Sequence, residues 1–60
     1  MITYKVCGIN KDNVDIERTF TSKNEIPLLE CIKRGYKIWN EDGKIGYTVT
    51  SVFKDGIAIW

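Results

Sequence analysis

Apolar and polar residues alternate along two runs near the start of the chain. Ile2, Tyr4 and Val6 share one face in residues 2–8, and Val14, Ile16 and Phe20 share one face in 14–20. This period-two alternation with β-branched and aromatic residues predicts two strands. The segment Ile9-Asn10-Lys11-Asp12-Asn13 between them is typical of a turn. We expect an antiparallel hairpin that sets Val6 opposite Ile16. The same register also pairs Ile2 with Phe20, Lys5 with Glu17, and Thr3 with Thr19.

A helix is predicted next, over about residues 25–34. Three residues are able to cap its N-terminus, namely Thr21, Ser22 and Asn24. Pro27 favours Asn24, because proline is tolerated only in the first helical turn. Gly35 is expected just after the helix, as the residue that ends it. The predicted buried stripe consists of Leu28, Leu29, Cys31 and Ile32.

The second half of the chain predicts three more strands, in residues 36–41, 44–53 and 57–60. Asp42-Gly43 is a strong two-residue hairpin signal, and this turn sets Trp39 across from Gly46.

The last strand has two competing registers. A two-residue turn at Asp55-Gly56 pairs Val52 with Ile59, and a three-residue turn pairs Phe53 with Ile57. The three-residue turn is preferred, because it extends the apolar face of the sheet.

The predicted fold is therefore α+β, with the order β-β-α-β-β-β in a single domain over 1–60. It has a five-stranded antiparallel sheet with one helix packed on one face, and its strand order stays open. One helix of ten residues covers two or three strands, so part of the inward face is expected to meet another chain. That inward face is predicted to carry Ile2, Tyr4, Val6, Val14, Ile16, Phe20, Tyr36, Ile38, Ile45, Tyr47, Val49, Phe53, Ile57 and Ile59.

Composition narrows the chemistry that we expect. The 60 residues have a net charge of +1, two cysteines and no histidine. A near-neutral chain lacks the basic excess of duplex-binding proteins. Without histidine or a CxxC motif, neither a zinc site nor a Cys–His dyad is expected, and no cofactor is predicted. We therefore predict a non-enzymatic, cytoplasmic protein with no membrane span. A bridge between Cys7 and Cys31 stays open, although two reduced thiols are favoured.

The polar face of the predicted sheet supplies the candidate site. Its ligand or interface residues are Trp39, Trp60, Lys37, Lys5, Thr48 and Thr50. Exposed tryptophan is enriched at binding hot spots, although half-buried tryptophans packed over Gly46 or at the terminus explain the pattern equally well. The same face could stack bases of single-stranded nucleic acid, against which stand the carboxylates of Asp15 and Glu17.

A nucleotide-type ligand needs fewer charges, and basic residues are available to hold a phosphate. The candidates are Lys33, Arg34, Lys37 and Arg18, without a common cavity to place them around.

In general style the chain resembles many small orphan proteins of Gram-positive phages. The features in question lie in the first forty residues: a ββα start, Thr-Ser before the helix, and Gly-Tyr-Lys-Ile after it. Isoleucine, lysine and asparagine, whose codons are AT-rich, are also abundant. The resemblance implies a stoichiometric role. The expected function is a self-associating binding protein that blocks a host protein or sequesters a nucleotide-type small molecule. Single-stranded nucleic-acid binding is the alternative.

Overall fold

The computed structural model describes all 60 residues and has an α+β fold with one helix and an antiparallel sheet. The sheet has four strands in the order β2-β1-β3-β4, so the prediction of five strands is wrong. The elements are β1 (Ile2–Ile9), β2 (Asp15–Ser22), α1 (Leu28–Glu41), β3 (Thr48–Lys54) and β4 (Ile57–Ala58).

The first hairpin forms where it was predicted, with a register shifted by two residues. Val6 lies opposite Arg18 instead of Ile16. The turn sets this register, because the Asn10 side-chain oxygen accepts hydrogen bonds from the backbone N–H groups of Asp12 and Val14, both at 2.9 Å. A shift of two residues leaves every side chain on its predicted face. The pairs predicted between Ile2 and Phe20, Lys5 and Glu17, and Thr3 and Thr19 are each replaced by a neighbour two positions along.

The helix begins later and extends further than predicted. Pro27 is its N-cap, without a side-chain capping bond, so the assignment of Asn24 as the cap is wrong. Gly35 lies inside α1 instead of ending it, and the predicted strand 36–41 is helical. Cys31, Gly35 and Trp39 are the buried residues of α1, and their spacing of four places them on one side of the helix.

The pair Asp42-Gly43 ends α1 and does not form the predicted hairpin turn. The Gly43 N–H donates to the Asn40 oxygen at 3.1 Å, and the Lys44 N–H donates to the Trp39 oxygen at 2.8 Å. These two bonds define a Schellman motif, which needs a left-handed residue after the helix. Gly43 supplies it with a φ of 73°.

A bulge in β3 decides which of its side chains enter the core. Cys7 pairs with Ser51 and Gly8 pairs with Val49, which leaves Thr50 as the extra residue. The extra residue lets Val49 and Val52 share one face, where both are buried. Val52, which was not among the residues predicted for the inward face, is therefore in the core, and Phe53, which was among them, lies on the opposite face.

The last turn takes the register that the sequence argument rejected. Phe53 pairs with Ala58 across a two-residue turn in which Asp55 and Gly56 have φ values of 49° and 82°. Left-handed residues at both central positions are typical of a type I′ hairpin turn. Ile57 consequently does not enter the core and is 70% exposed.

The core lies between α1 and the sheet face formed by β1, β2 and β3. The helix contacts these three strands and not β4. Several residues predicted for the inward face are exposed instead, among them Val14, Ile45 and Ile59. The buried side chains are Tyr4, Val6, Ile16, Cys31, Trp39, Val49 and Val52. At 14 residues, α1 is too short to cross a membrane, and its sequence is not apolar enough.

Candidate functional site

Trp39, the first of the predicted site residues, lies in the core. It is on α1 and 1% exposed, so the expectation that it stands on an outward strand face is wrong. Its ring covers a strand glycine, as predicted, but the glycine is Gly8 instead of Gly46. A Cβ atom at Gly8 would lie 2.5 Å from the Trp39 ring. Trp39 therefore has a packing role and is not available to a ligand.

Three of the predicted residues, Lys5, Thr48 and Thr50, lie on β1 and β3. We call the side of the sheet that faces away from α1 the outer face, formed by Thr3, Lys5, Cys7, Glu17, Thr19, Ser51 and Phe53. The Lys5 Nζ atom lies 4.7 Å from the centre of the Phe53 ring and 4.0 Å from Glu17. Thr48 is exposed at the start of β3, and the Thr50 hydroxyl at the bulge donates to the Cys7 carbonyl oxygen at 3.4 Å.

The remaining two predicted residues lie at opposite edges of the molecule. Lys37 is on the side of α1 that faces β2. Trp60 follows β4, exchanges backbone hydrogen bonds with Val52, and is 53% exposed. Because β2 and β4 are the two edges of the sheet, the structure does not bring the six predicted residues together.

Of the six predicted residues, only Lys37 belongs to the largest concave surface. We call it the β2–α1 groove, a hollow of about 600 Å³ between the edge strand β2 and the flank of α1. Phe20 is its aromatic residue and stacks on the buried Tyr4, with ring centres 5.5 Å apart. The Arg34 guanidinium lies 5.8 Å from the centre of the Phe20 ring. The full lining is Phe20, Thr21, Glu30, Lys33, Arg34, Lys37, Ile38 and Glu41.

The β2–α1 groove carries more positive than negative charge. Lys33, Arg34 and Lys37 provide three cations against the carboxylates of Glu30 and Glu41. Glu30 is already paired with Arg34 through a 3.4 Å contact one helical turn away. Arg34 thus has a carboxylate on one side and an aromatic face on the other, which fixes its guanidinium while leaving hydrogen-bond donors free.

A further ion pair joins β2 to the end of α1. The Arg18 Nε atom donates to an Asp42 carboxylate oxygen at 3.0 Å, and Arg18 also donates to the Glu17 carbonyl oxygen at 2.8 Å. The bond to Asp42, the C-cap residue, ties the C-terminal end of α1 to the edge strand. The edge of the groove is therefore held by polar contacts between the two elements that form it.

Of the four phosphate candidates predicted from the sequence, Lys33, Arg34 and Lys37 lie around one groove. The fourth, Arg18, is not in its lining and is bonded to Asp42 instead. Phe20 was assigned to the core, although it is only half-buried and also faces the groove. The spacing of Arg34, Lys37, Ile38 and Glu41 was the available signal, because residues three and four apart share a helix flank. Because residues 36–41 were predicted to form a strand, these four residues were not recognised as one side of a helix.

The two cysteines are free and lie on different sides of the sheet. The half-exposed Cys7 is on the outer face, with its thiol 3.9 Å from a Glu17 carboxylate oxygen. Cys31 lies on the side of α1 that faces the sheet and is buried. This burial raises the pKa of its thiol above the ordinary value, while the charge of the nearby Arg34 acts to lower it. A bridge between Cys7 and Cys31 is therefore not formed, and no cluster of three or more Cys, Asp or Glu side chains is arranged to hold a metal ion.

Comparison with known proteins adds no relative. No protein-family model, no curated protein and no solved structure matches this chain.

Proposed function

We propose that this protein is a small non-catalytic binding protein that takes a nucleotide-type anionic molecule in the β2–α1 groove. The observation that carries the proposal is the arrangement at Phe20, whose half-buried ring lies under Arg34 in a groove that also holds Lys33 and Lys37. An aromatic face beside several cations is a combination that recognises a base and a phosphate together. We further propose a stoichiometric mode of action, by sequestration, in a phage-encoded homo-oligomer.

The size of the groove agrees with this class of ligand. Pockets for small molecules and cofactors have volumes of about 300–1,000 Å³, and the groove measures about 600 Å³. Six of its eight lining residues are polar or charged, and Phe20 and Ile38 are the apolar ones. Such a lining suits a charged ligand with one flat ring better than a hydrophobic ligand.

The proposal is tested by calorimetric titration with AMP, ATP, cyclic di-AMP and, as a probe without a ring, inorganic pyrophosphate. Lys37→Gln removes one groove cation, and losing a charge-assisted hydrogen bond of about 1.5–3 kcal/mol predicts binding about tenfold weaker or worse. Phe20→Leu is expected to weaken the nucleotides while leaving pyrophosphate unchanged.

Lys44→Gln is the matched control for the charge, because Lys44 is exposed and lies outside the groove. We expect it to bind like the unmodified protein. Equal effects of Lys37→Gln and Lys44→Gln, or no heat with any nucleotide, would contradict a site in this groove and leave the blocking of a host protein as the proposed role.

Single-stranded nucleic acid is the second candidate ligand, and the outer face is what favours it. Lys5 lies over the Phe53 ring, and Thr3 and Thr19 are short neighbouring side chains on the same face. A cation beside an aromatic ring is a combination that binds single strands. Fluorescence anisotropy with an oligo-dT probe tests this candidate. Binding that falls with added salt and with Phe53→Leu, but not with Lys37→Gln, would favour the outer face over the groove.

A further inference from the structure

The edge strand β2 directs backbone N–H and C=O groups outward along its length, and among these the Glu17 oxygen already accepts a hydrogen bond of 2.8 Å from the Arg18 side chain. The Asn10 N–H donates to the Val14 oxygen at 3.1 Å, which identifies these two residues as a hydrogen-bonded pair of the β1–β2 hairpin. Hydrogen-bonded and non-hydrogen-bonded pairs alternate in an antiparallel ladder. The even-numbered residues of β2 therefore bond to β1. The odd-numbered residues direct their N–H and C=O groups outward, and these are Asp15, Glu17, Thr19 and Thr21.

The other edge of the sheet, at β4, is less suited to pairing with a strand of another chain. β4 has only two residues, and the N–H groups of Ile59 and Trp60 both donate to the Val52 oxygen, which is the pattern of a bulge. A short strand followed by a bulge is a common protection against edge pairing. β2 has eight residues, no proline and no bulge.

We propose that a second copy of this chain pairs with β2 in antiparallel orientation, about a two-fold axis at Thr19. The pairing joins the two sheets into one of eight strands and the two β2–α1 grooves into one cleft. The part of this inference that concerns the ligand rests on the proposed function of the groove. The pairing of the strands rests on the edge alone.

An axis at Thr19 pairs β2 over its whole length, and the charges favour it over the neighbouring axis at Arg18. Paired residues must lie on the same face, so the axis passes through a residue and not between two. An axis at Arg18 would place two arginines directly opposite each other, which is destabilising. An axis at Thr19 places Arg18 opposite Phe20 of the second copy, and Asp15 opposite Lys23 of the second copy. The strand is thus complementary to itself, in charge and in cation–π contacts.

The helices agree with the same axis. Arg34 lies over Phe20 and Asp42 is bonded to Arg18, so the middle of this helical segment, at Ile38, is level with Thr19. Two copies related at Thr19 therefore bring their Ile38 residues closest to the axis. The basic Arg34 of one copy then lies beside the acidic end of α1 of the other. Attraction between the helices is expected at both ends of the cleft.

The cleft between the helices stays open for a ligand. α1 lies mainly over β1 and β3, and strands are spaced about 4.8 Å apart, which puts the two helix axes about 15–20 Å apart. Helices with their side chains are about 10–12 Å in diameter, so a gap of several Å remains, about the thickness of a flat ring.

The two grooves together define the chemistry of the ligand. The cleft has two Phe20 rings and both sets of Lys33, Arg34 and Lys37, arranged with two-fold symmetry. A ligand with two phosphates and two bases in a two-fold arrangement, such as a cyclic dinucleotide, satisfies both halves at once. Binding of one such molecule per two chains also bridges the copies and tightens the dimer.

Sedimentation equilibrium tests the pairing. We expect twice the chain mass of 6.9 kDa at micromolar concentration. Thr19→Pro removes an outward N–H of β2 without touching the bonds to β1, and is expected to give the monomer mass. Ala58→Pro is the matched control, because Ala58 pairs with Phe53 at a position where its N–H also faces outward, at the other edge. It is expected to remain dimeric. A monomeric unmodified protein, or equal loss of the dimer in both variants, would overturn the proposal.

Cysteine cross-linking tests the register. In a Cys7→Ser background the remaining native thiol, Cys31, is fully buried. Thr19→Cys lies on the proposed axis, so mild oxidation is expected to link two chains. Thr21→Cys is two residues from the axis and is expected to stay unlinked. Linking of Thr21→Cys, or of neither variant, would contradict an axis at Thr19.

Titration with cyclic di-AMP separates the two proposals. One molecule per two chains, with loss of binding in Thr19→Pro, supports the joined cleft. Full binding by a monomeric Thr19→Pro variant would overturn the joined cleft while leaving the groove as a site. A dimer that binds no nucleotide would leave the strand pairing intact and contradict the proposed function.

Discussion

At the scale of single residues, Gly35 is needed because glycine has no side chain, and not because its backbone is flexible. It lies in the middle of α1, where glycine is less favourable than alanine by about 1 kcal/mol. The reason it is needed is contact, because a Cβ atom there would lie 2.6 Å from Val6 Cγ1 and 3.0 Å from Val6 Cβ. Val6 is fully buried and has no room to move. Gly35 therefore sets the distance between α1 and β1.

We expect Gly35→Ala to destabilise the protein despite the better helix propensity of alanine. Overpacking a tight core costs about 1–3 kcal/mol, which exceeds the propensity gain of about 1 kcal/mol. The free energy of unfolding from urea titration measures the effect. In a Val6→Ala background the same substitution should cost less, because the clashing methyl groups are gone. An equal cost in both backgrounds would exclude the contact as the cause.

At the scale of elements, α1 shows how local signals were assigned to the wrong structure. Gly35 was interpreted as the end of a helix, and Asp42-Gly43 as a hairpin turn. Both signals are real properties of glycine, since either motif needs a left-handed residue. The helical spacing of Cys31, Gly35 and Trp39 is the longer-range pattern, and the structure shows that it governs this segment.

The Schellman motif at the end of α1 predicts a specific order of stability at position 43. No atom lies within 4 Å of a Cβ placed there, so a substitution acts only through the backbone φ of 73°. Gly43→Ala is expected to cost about 1–2 kcal/mol, the usual penalty of the left-handed conformation. Gly43→Asn should cost less, because asparagine tolerates this region. Thermal unfolding of the three proteins measures the order, and an alanine variant as stable as the glycine protein would refute it.

At the scale of the whole molecule, the sheet is narrower than the sequence predicts. Five predicted strands left more apolar face than one helix could cover, and this excess was an argument for self-association. With 36–41 in the helix, α1 is longer and the sheet has four strands. Of the residues predicted for the inward face, Val14 and Ile45 are exposed outside the sheet, and Ile57 and Ile59 are exposed in the region of β4. The feature of the molecule that favours a second copy is therefore the β2 edge instead.

The two tryptophans provide a measurement of this arrangement. Trp39 is 1% exposed and Trp60 is 53% exposed. We expect Trp60→Phe to leave a blue-shifted emission that iodide quenches weakly, because only the buried ring remains. The loss of the strongly quenched component on this substitution assigns that component to Trp60. Strong iodide quenching in folded Trp60→Phe would contradict the burial of Trp39 beneath α1.

Prediction from sequence succeeded where the pattern involves neighbouring residues. It failed where contacts between distant residues decide between two local structures. The hairpin of β1 and β2 and the faces of its side chains follow from alternation over adjacent residues. The register of that hairpin depended on the side chain of Asn10, and the register of β4 on one choice of turn. Three groove cations were named from sequence. Phe20 could not be joined to them, because the groove exists only once α1 lies beside β2.

The sequence by itself determined the α+β class, the first hairpin and the near-neutral charge, because alternation and composition are properties of neighbouring residues. Only the tertiary structure decided the fate of residues 36–41, the bulge at Thr50 and the burial of Trp39. The Trp39 ring covers Gly8, and the bulge aligns Val49 and Val52 on one face of the sheet. These contacts join segments far apart in the chain. The free energy gained when these segments pack against one another outweighs the local conformational preference of each segment.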